Sequence, residues 1–472
     1  MAPFKPVKLL DLCKVAPPRG SVVPTYTSLP LTFFDLKWLP LPPVELLFFY
    51  DFPYPISQFT HSLLPHLKQS LSCTLIRFYP FSGNLSWPHE PNHPMICYTE
   101  GDSVSFSVAE SDADFYHLSS NNLKDAIESR PLVPHLPASG PIVPMLAIQV
   151  TVFPNNGICI AATHHHSVCD GRGFVHFMRT WASISKLGVE SLSPESLPFL
   201  DRTTIKENYG ITKILLNDLD RFMGSETISG NRRLRVMDIE LKPNMVRATF
   251  EVNEASGRRL KEWIFSQYKK DEQQTIPPSK FVAICAYTWI CLLKAEAKVG
   301  ESKTNNTTSF VFNVDCRARL DPPIQETYLG NCIRSGVVIA EKTDLMREVA
   351  VAAQLIRNVV LEMDKGILRG MERSVSSLLE MQYGRILAAA GSSQLGFYKI
   401  DFGFGKPKKV EMASIDRTGA MFLKESSNEG GGIEFDLVLN RKEMDAFVSV
   451  FVGGLNVLSE HSLSPSTSRS LL

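Results

Sequence analysis

Apolar residues recur along the chain with two different spacings, and together they predict a mixed α/β protein. Residues 145–153 and 157–162 are two β-rich runs. The Pro-Asn-Asn-Gly sequence at 154–157 between them is typical of a hairpin turn. Residues 174–187 then return to helical spacing. This part of the chain is therefore predicted to form a hairpin followed by a helix.

The remaining regular segments follow from the same two periodicities. Residues 57–75 carry apolar side chains near helical spacing, and Pro65 within them predicts a kink. In the second half, the spacing predicts strands at 245–252 and 309–314 and helices at 256–267 and 280–297.

Polar and irregular sequence separates the two halves. Residues 193–243 carry several Gly and Asn and predict a crossover between domains. The expected organisation is an N-terminal domain at 1–195, a crossover at 196–243 and a C-terminal domain at 244–472.

The opening segment is rich in proline and aromatic residues. Its prolines, at positions 17, 18, 24, 30, 40, 42 and 43, exclude a helix and predict an extended path. The aromatic residues are expected in the core rather than against a ligand: Phe33, Phe34, Trp38, Phe48, Phe49 and Tyr50.

Composition excludes several classes of protein. The 472 residues include 49 acidic and 49 basic side chains, so no bulk attraction to nucleic acid or anionic membranes is expected. Nine cysteines without a CxxC pair argue against a disulfide scaffold or zinc module and favour a reducing compartment. The first residues carry no long apolar h-region and no apolar run approaches a membrane span, so a cytoplasmic location is expected. The protein is also expected to be a monomer. The Ser-rich residues 462–472 are expected to be a frayed tail.

Three adjacent histidines at 164–166 offer the clearest candidate chemistry. His166 precedes Asp170 by four residues, and Gly171 follows. An imidazole titrates near neutrality and can take a proton from a hydroxyl. Such a spacing occurs about once by chance in a chain of this length. No metal site is expected, because side chains of consecutive strand residues alternate between faces. Histidines merely packed at a strand end are the alternative.

Other enzyme signatures are missing from the sequence. There is no Gly-x-Ser-x-Gly elbow, Walker loop or His-Glu-x-x-His motif. Residues 401–405, Asp-Phe-Gly-Phe-Gly, lack the spacing of a dinucleotide loop. The histidine segment therefore remains as the candidate for a catalytic site.

His166-Ser167-Val168-Cys169-Asp170-Gly171 and the Asp-Phe-Gly-Phe-Gly sequence at 401–405 resemble two signature motifs of plant BAHD acyl-CoA-dependent acyltransferases. Those motifs are His-x-x-x-Asp-Gly and Asp-Phe-Gly-Trp-Gly. The resemblance extends through residues 29–35, 78–85 and 313–320. Residues 328–332, Tyr-Leu-Gly-Asn-Cys, look like the Tyr-Phe-Gly-Asn-Cys motif of the branch that acylates anthocyanin and other flavonoid glycosides.

The resemblance implies a fold and a reaction. It implies two mixed α/β domains of the chloramphenicol acetyltransferase type with a solvent channel between them. Acyl-CoA as co-substrate would enter from one face and the acceptor, a flavonoid or anthocyanin glycoside, from the other. His166 would act as general base on a sugar hydroxyl, without an acyl-enzyme, a metal or a further cofactor.

The resemblance also implies supporting roles for other residues. Asp170 would hold the loop by pairing with Arg317 or Arg319, rather than take part in the chemistry. Asp401, Gly403 and Gly405 would be structural and shape the CoA side. Phe404 departs from the family motif, which has Trp at that position.

The acyl group stays open between malonyl and hydroxycinnamoyl such as coumaroyl. Arg172 and Arg179 are candidates for binding a malonyl carboxylate, and Phe174 and Phe177 for an aromatic acyl group. A position on the helix surface or in the core is the alternative for all four.

Two other functions also stay open. One is a sister-branch acyltransferase that acts on a terpenoid or alkaloid alcohol or on an amine. The other is a catalytically silent relative that binds flavonoids or CoA.

Overall fold

The structure is a computed structural model. It describes residues 6–21, 23, 25–207, 209–268, 276–300, 306–380, 385–428 and 430–461. The expectations for residues 1–5, for Pro24 and for the tail at 462–472 lie outside the described residues.

Strands and helices alternate through both halves of the chain. The described strands are β1 (Lys8–Val15), β2 (Tyr26–Pro30), β3 (Val44–Asp51), β4 (Asn84–Ser86), β5 (Met95–Thr99), β6 (Val104–Glu110), β7 (Lys124–Asp125), β8 (Ile142–Pro144), β9 (Leu146–Phe153), β10 (Gly157–His164), β11 (Thr227–Ile228), β12 (Asn231–Arg232), β13 (Met245–Val252), β14 (Thr307–Asp315), β15 (Ile333–Glu341), β16 (Arg385–Gly391), β17 (Lys409–Met412), β18 (Met421–Glu425) and β19 (Ile433–Asn440).

The described α-helices are α1 (Phe33–Leu36), α2 (Ile56–Gln58), α3 (Leu64–Leu75), α4 (Phe115–Leu118), α5 (Gly171–Leu187), α6 (Ile211–Met223), α7 (Glu254–Ser266), α8 (Lys280–Val299), α9 (Lys342–Leu345), α10 (Val349–Asp364), α11 (Ser374–Glu380), α12 (Ile415–Thr418) and α13 (Arg441–His461). A π-helical turn, Phe59–Leu63, joins α2 to α3. Pro65 lies in the first turn of α3, so the predicted kink coincides with this junction. None of the helices in the described ranges is long and apolar enough to cross a membrane.

Two large sheets organise the molecule. The first has the order β1-β6-β9-β10-β3-β17, with β10 antiparallel to both β9 and β3. All eight residues of β9 and of β10 are buried. Two-sided burial explains why both strands consist mostly of apolar residues in the sequence.

The second large sheet has the order β15-β14-β16-β18-β19-β13-β7. Helix α8 packs against it through mainly apolar residues, among them the fully buried Trp289, whose ring centroid lies 5.6 Å from that of Phe310 on β14. A smaller, four-stranded sheet in the first half has the order β2-β5-β4-β8. The architecture is mixed α/β, as the periodicities predict.

Each large sheet takes one strand from the other half of the chain. β17 from the second half pairs with β3, and β7 from the first half pairs with β13. The domain boundaries at 195 and 243 stay a prediction.

The structure corrects two expectations. The proline-rich opening contains a helical turn, α1, because Thr32 caps its N-terminus and Asp35 closes the capping box. The crossover at 193–243 is not wholly irregular, since it contains the 13-residue helix α6. The predicted strands and helices of the second half are confirmed, with ends shifted by two residues or fewer.

Candidate active site

His166 lies on the loop between strand β10 and helix α5. The His165 N–H donates to the Met145 carbonyl oxygen at 3.0 Å, and the Val168 N–H donates back to the His165 carbonyl oxygen at 3.1 Å. Asp170 then caps α5 by accepting a hydrogen bond from the Gly173 N–H at 3.1 Å. The predicted strand-to-helix loop is confirmed; backbone hydrogen bonds hold its strand end, and the Asp170 side chain holds its helix end.

The three adjacent histidines have separate surroundings. The His164 ring stacks on Phe174 with centroids 4.3 Å apart, and His165 Nδ1 is 2.8 Å from the Ser167 hydroxyl. The His166 ring stacks on Trp38, with centroids 3.8 Å apart and an interplanar angle of 4°. No group of three or more potential metal ligands occurs within the described residues.

Burial keeps His166 neutral. Desolvation lowers the pKa of His166 to about 4, and the charge of Lys37 acts in the same direction. A hydrogen bond with the backbone of His166 itself, the charge of Asp170 and a hydrogen bond with Asn331 oppose this shift without cancelling it. The imidazole is therefore unprotonated at neutral pH, which is the form that accepts a proton.

Asp170 is fully engaged by hydrogen-bond donors. Its two carboxylate oxygens lie 2.9 and 3.1 Å from the Arg317 guanidinium, and the Cys332 N–H donates to it at 3.0 Å. Burial raises the pKa of Asp170, but the Arg317 charge and these hydrogen bonds hold it below its ordinary value. Of the two arginines predicted as its partner, Arg317 forms the pair, whereas Arg319 pairs with Asp364.

The Tyr-Leu-Gly-Asn-Cys segment at 328–332 packs against the histidine loop and holds it by hydrogen bonds. The Asn331 side-chain amide donates to the His166 carbonyl oxygen at 2.9 Å and to Asp35 at 3.0 Å. Gly330 passes so close to Arg202 and Tyr328 that a Cβ would overlap them. This glycine is required by close packing.

Asp35 is a second buried carboxylate behind the loop. It accepts hydrogen bonds from Asn331, from Thr32 and from Arg202, the last at 2.8 Å. Sequence reasoning gave Asp35, Asn331 and Arg202 no role. The first two lie within motifs quoted above, but Arg202 lies in the irregular crossover and carries no local signal.

Residues 401–405 form a turn closed by Asp401. Its carboxylate accepts from the Gly403 and Gly405 N–H groups at 2.8 and 3.0 Å and pairs with Lys186 at the end of α5. Both glycines have φ above +100°, which side-chain-bearing residues rarely adopt. The Phe404 ring packs edge-to-face on Tyr50. The turn thus ties α5 to the first sheet.

A cavity of about 1070 Å³ lies between the two halves of the chain and contains the His166 side chain in its wall. Trp38 and Phe174 line it from the first half, and Val311 and Ala388 from the second. Trp38 was predicted to be core alone; it is buried but also faces this cavity.

The candidate acyl-binding residues differ in their access to the cavity. Arg172 and Phe174 line it, but Arg172 already pairs with Asp315 at 2.9 Å, and Phe174 is fully buried beneath His164. Arg179 is exposed on α5 and is not part of the cavity wall. Sequence reasoning missed Lys37, which lines the cavity beside Trp38.

A family model described as the Transferase family matches residues 20–452, which is most of the chain. The chain belongs to this family, the BAHD acyltransferases. It is therefore an acyl-CoA-dependent acyltransferase, with acyl-CoA as its co-substrate.

Among named relatives of this BAHD protein are enzymes with two different acyl donors. It is 36% identical to a malonyl-coenzyme:anthocyanin 5-O-glucoside-6'''-O-malonyltransferase of Salvia splendens, covering 94% of each chain. It is 35% identical to coumaroyl-CoA:anthocyanidin 3-O-glucoside-6''-O-coumaroyltransferase 1 of Arabidopsis thaliana, covering 96% of this chain and 99% of the relative.

Solved structures share the BAHD fold. Vinorine synthase superimposes with a TM-score of 0.69 at 18% identity, covering 95% of this chain and 98% of that chain. The F. graminearum TRI101 protein, complexed with coenzyme A and T-2 mycotoxin, gives a TM-score of 0.66 at 15% identity, covering 89% of this chain and 96% of that chain. The predicted fold class is confirmed.

Proposed function

We propose that this BAHD enzyme transfers a malonyl or hydroxycinnamoyl group from acyl-CoA to a sugar hydroxyl of an anthocyanin or flavonoid glycoside. The observation that carries the proposal is the neutral His166 imidazole in the cavity wall, stacked on Trp38 and with its backbone bonded by Asn331. The named malonyl- and coumaroyltransferase relatives support the two donor classes and the glycoside acceptor.

The proposed reaction needs one base and no covalent enzyme intermediate. His166 takes the proton of the sugar hydroxyl while that oxygen attacks the thioester carbonyl carbon. The tetrahedral intermediate expels the CoA thiolate as the carbon–sulfur bond breaks. The imidazolium returns its proton to this thiolate, so the products are the sugar ester and free CoA.

Cys169 offers the alternative of an acyl-cysteine route. Its thiol is fully buried, and burial raises the pKa of Cys169 well above the ordinary range. The thiolate is the nucleophilic form of cysteine, so a thiol held protonated is a poor nucleophile. These observations support direct transfer.

We expect the primary 6-hydroxyl of a glucoside to be acylated. It is the least hindered sugar hydroxyl and extends furthest from the ring, so it can approach His166 to about 2.6–3.2 Å while the planar aglycone lies toward the cavity mouth.

All nine cysteines of the chain are unpaired, which supports the further proposal that the enzyme works in the cytoplasm.

Paired acceptors test the proposed function. The purified enzyme is assayed for thiol release with malonyl-CoA and coumaroyl-CoA, each against a flavonoid glucoside and its aglycone, and products are identified by mass and NMR. We expect the glucoside to react faster and the acyl group to be on its 6-oxygen. Faster acylation of the aglycone, or acyl groups only on phenolic oxygens, would move the chain to a sister branch.

A further inference from the structure

Lys37 is a buried cation in the cavity wall. It follows α1 directly and only 6% of it is exposed. Its Nζ lies 4.6 Å from the centre of the Trp38 ring and donates a hydrogen bond to the Ser335 hydroxyl, which itself donates to Asn313 Oδ1 at 2.6 Å. Lys37, Ser335 and Asn313 all line the cavity.

Lys37 lacks the carboxylate partner that two other cations of the cavity wall, Arg317 and Arg172, possess. Arg317 pairs with Asp170, and Arg172 pairs with Asp315. Across the described ranges, no carboxylate lies within ion-pair distance of Lys37. Burial lowers the pKa of Lys37 to about 8, which leaves most of it charged at neutral pH. Burying an unpaired charge is costly, so an anion that entered the cavity here would be strongly favoured.

The ammonium lies close to the reacting centre. The Trp38 ring is 4.6 Å from Lys37 Nζ and 3.8 Å from the His166 ring, so the ammonium and imidazole are separated by at most the sum of these distances. The sugar oxygen that His166 deprotonates must approach the thioester carbonyl to about 3–3.5 Å. In a malonyl group, a single methylene separates that carbonyl from the carboxylate. The carboxylate therefore falls within reach of Lys37.

We propose that Lys37 binds the free carboxylate of a malonyl-type donor and so makes a dicarboxylic acyl group the preferred substrate. This inference rests on the proposed function and chooses between its two donor classes. A coumaroyl group carries no carboxylate. A simple glucoside carries no carboxylate either, so with such an acceptor the carboxylate that binds Lys37 comes from the donor. An acceptor with a uronic acid sugar is the other possible source of a carboxylate, and the test includes it.

The test compares two donors of equal size and different charge. Isovaleryl-CoA has the same number of non-hydrogen acyl atoms as malonyl-CoA, but an uncharged isopropyl group stands in place of the carboxylate. Both donors, and coumaroyl-CoA, are assayed with a flavonoid glucoside and with the matching glucuronide on wild type, Lys37→Met and Lys37→Arg. Arg172→Met replaces another cation of the cavity wall, and Lys365→Met replaces a lysine with 65% side-chain exposure outside the cavity.

Lys37→Met is expected to lower the ratio of kcat/KM for malonyl-CoA over isovaleryl-CoA by about 10- to 100-fold, the worth of a hydrogen bond to a charged group. Lys37→Arg keeps the charge and should restore most of this ratio. Lys365→Met should leave it unchanged. Calorimetric titration of both CoA esters without acceptor gives the same comparison independently of turnover, and circular dichroism shows whether each variant folds.

Several results would overturn the role of Lys37 while leaving the proposed function intact. In the first, wild type transfers coumaroyl efficiently and uses malonyl-CoA no better than isovaleryl-CoA. In the second, the ratio of kcat/KM for malonyl-CoA over isovaleryl-CoA falls in Arg172→Met and not in Lys37→Met. In the third, Lys37→Met has an effect only with a flavonoid glucuronide as acceptor. If no donor reacts with any glycoside, the proposed function fails, and the calorimetric comparison still decides whether Lys37 binds the carboxylate. If Lys37→Met does not fold, wild type and Lys37→Arg carry the donor comparison.

Discussion

Asp170→Asn should destabilise the folded protein by breaking a buried ion pair. The substitution keeps the shape of the side chain but removes its charge. The amide nitrogen cannot accept a hydrogen bond, so one of the two oxygens that receive Arg317, Gly173 and Cys332 is lost. Arg317 is then left buried, with 3% of its side chain exposed.

The magnitude follows from what remains around Arg317. Removing one partner of a buried pair costs about 3–5 kcal/mol. Asp315 lies 3.2 Å from Arg317 and still balances part of its charge. We therefore expect the free energy of unfolding to fall by about 3 kcal/mol, near the lower end of this range. Unfolding entropy is about 2.1 cal/mol/K per residue, which for 472 residues gives about 1 kcal/mol/K and a Tm lower by about 3 °C.

Calorimetric melts at pH 7 measure this shift. The pKa of Asp170 is held below its ordinary value, so its stabilisation is complete at pH 7 and is lost only as the pH falls through the folded pKa. The matched control is Asp364→Asn, which breaks the half-exposed pair with Arg319 and should lower Tm by less than about 1 °C. If Asp170→Asn melts like this control and yet abolishes turnover, Asp170 belongs to the reacting groups and the structural assignment is wrong.

Two further predictions concern the base and its support. With a donor that lacks a carboxylate, such as isovaleryl-CoA, kcat/KM should be flat between about pH 6 and 8, because the pKa of His166 is lowered to about 4. It should fall only below about pH 5, as the base becomes protonated, and an inflection near 6.5 would contradict this. Gly330→Ala should lower Tm by about 1–3 °C, since the new Cβ would lie 2.7 Å from the Tyr328 ring and overlap Arg202. An unchanged Tm would show that the neighbouring side chains move aside at little cost.

Local periodicity predicted much of the fold around the site. β9, β10 and α5 were predictable because each buries a continuous or amphipathic run that one window of sequence displays. Helix α6 was missed although its buried Ile211, Leu215 and Leu219 recur every four residues. It lies between Gly210 and Gly224, and these breakers made the surrounding sequence resemble a loop.

The site itself depends on contacts that no window of sequence contains. The base lies on a loop that its own motif identifies, but Trp38 and Lys37 come from a segment far earlier in the chain. Asn331 reaches the His166 carbonyl across 165 positions. Sequence spacing could not distinguish Arg317 from Arg319 as the partner of Asp170, because only the tertiary placement of the short turn that carries both arginines decides which one is buried.

Replacement of His166 by alanine tests the central claim most directly. Turnover is measured by thiol release with a flavonoid glucoside and the better of the two acyl-CoA donors, and donor affinity by calorimetry. The proposed role as general base predicts a kcat lower by about 10²- to 10⁴-fold with donor affinity largely unchanged. Wild-type turnover in His166→Ala would contradict it.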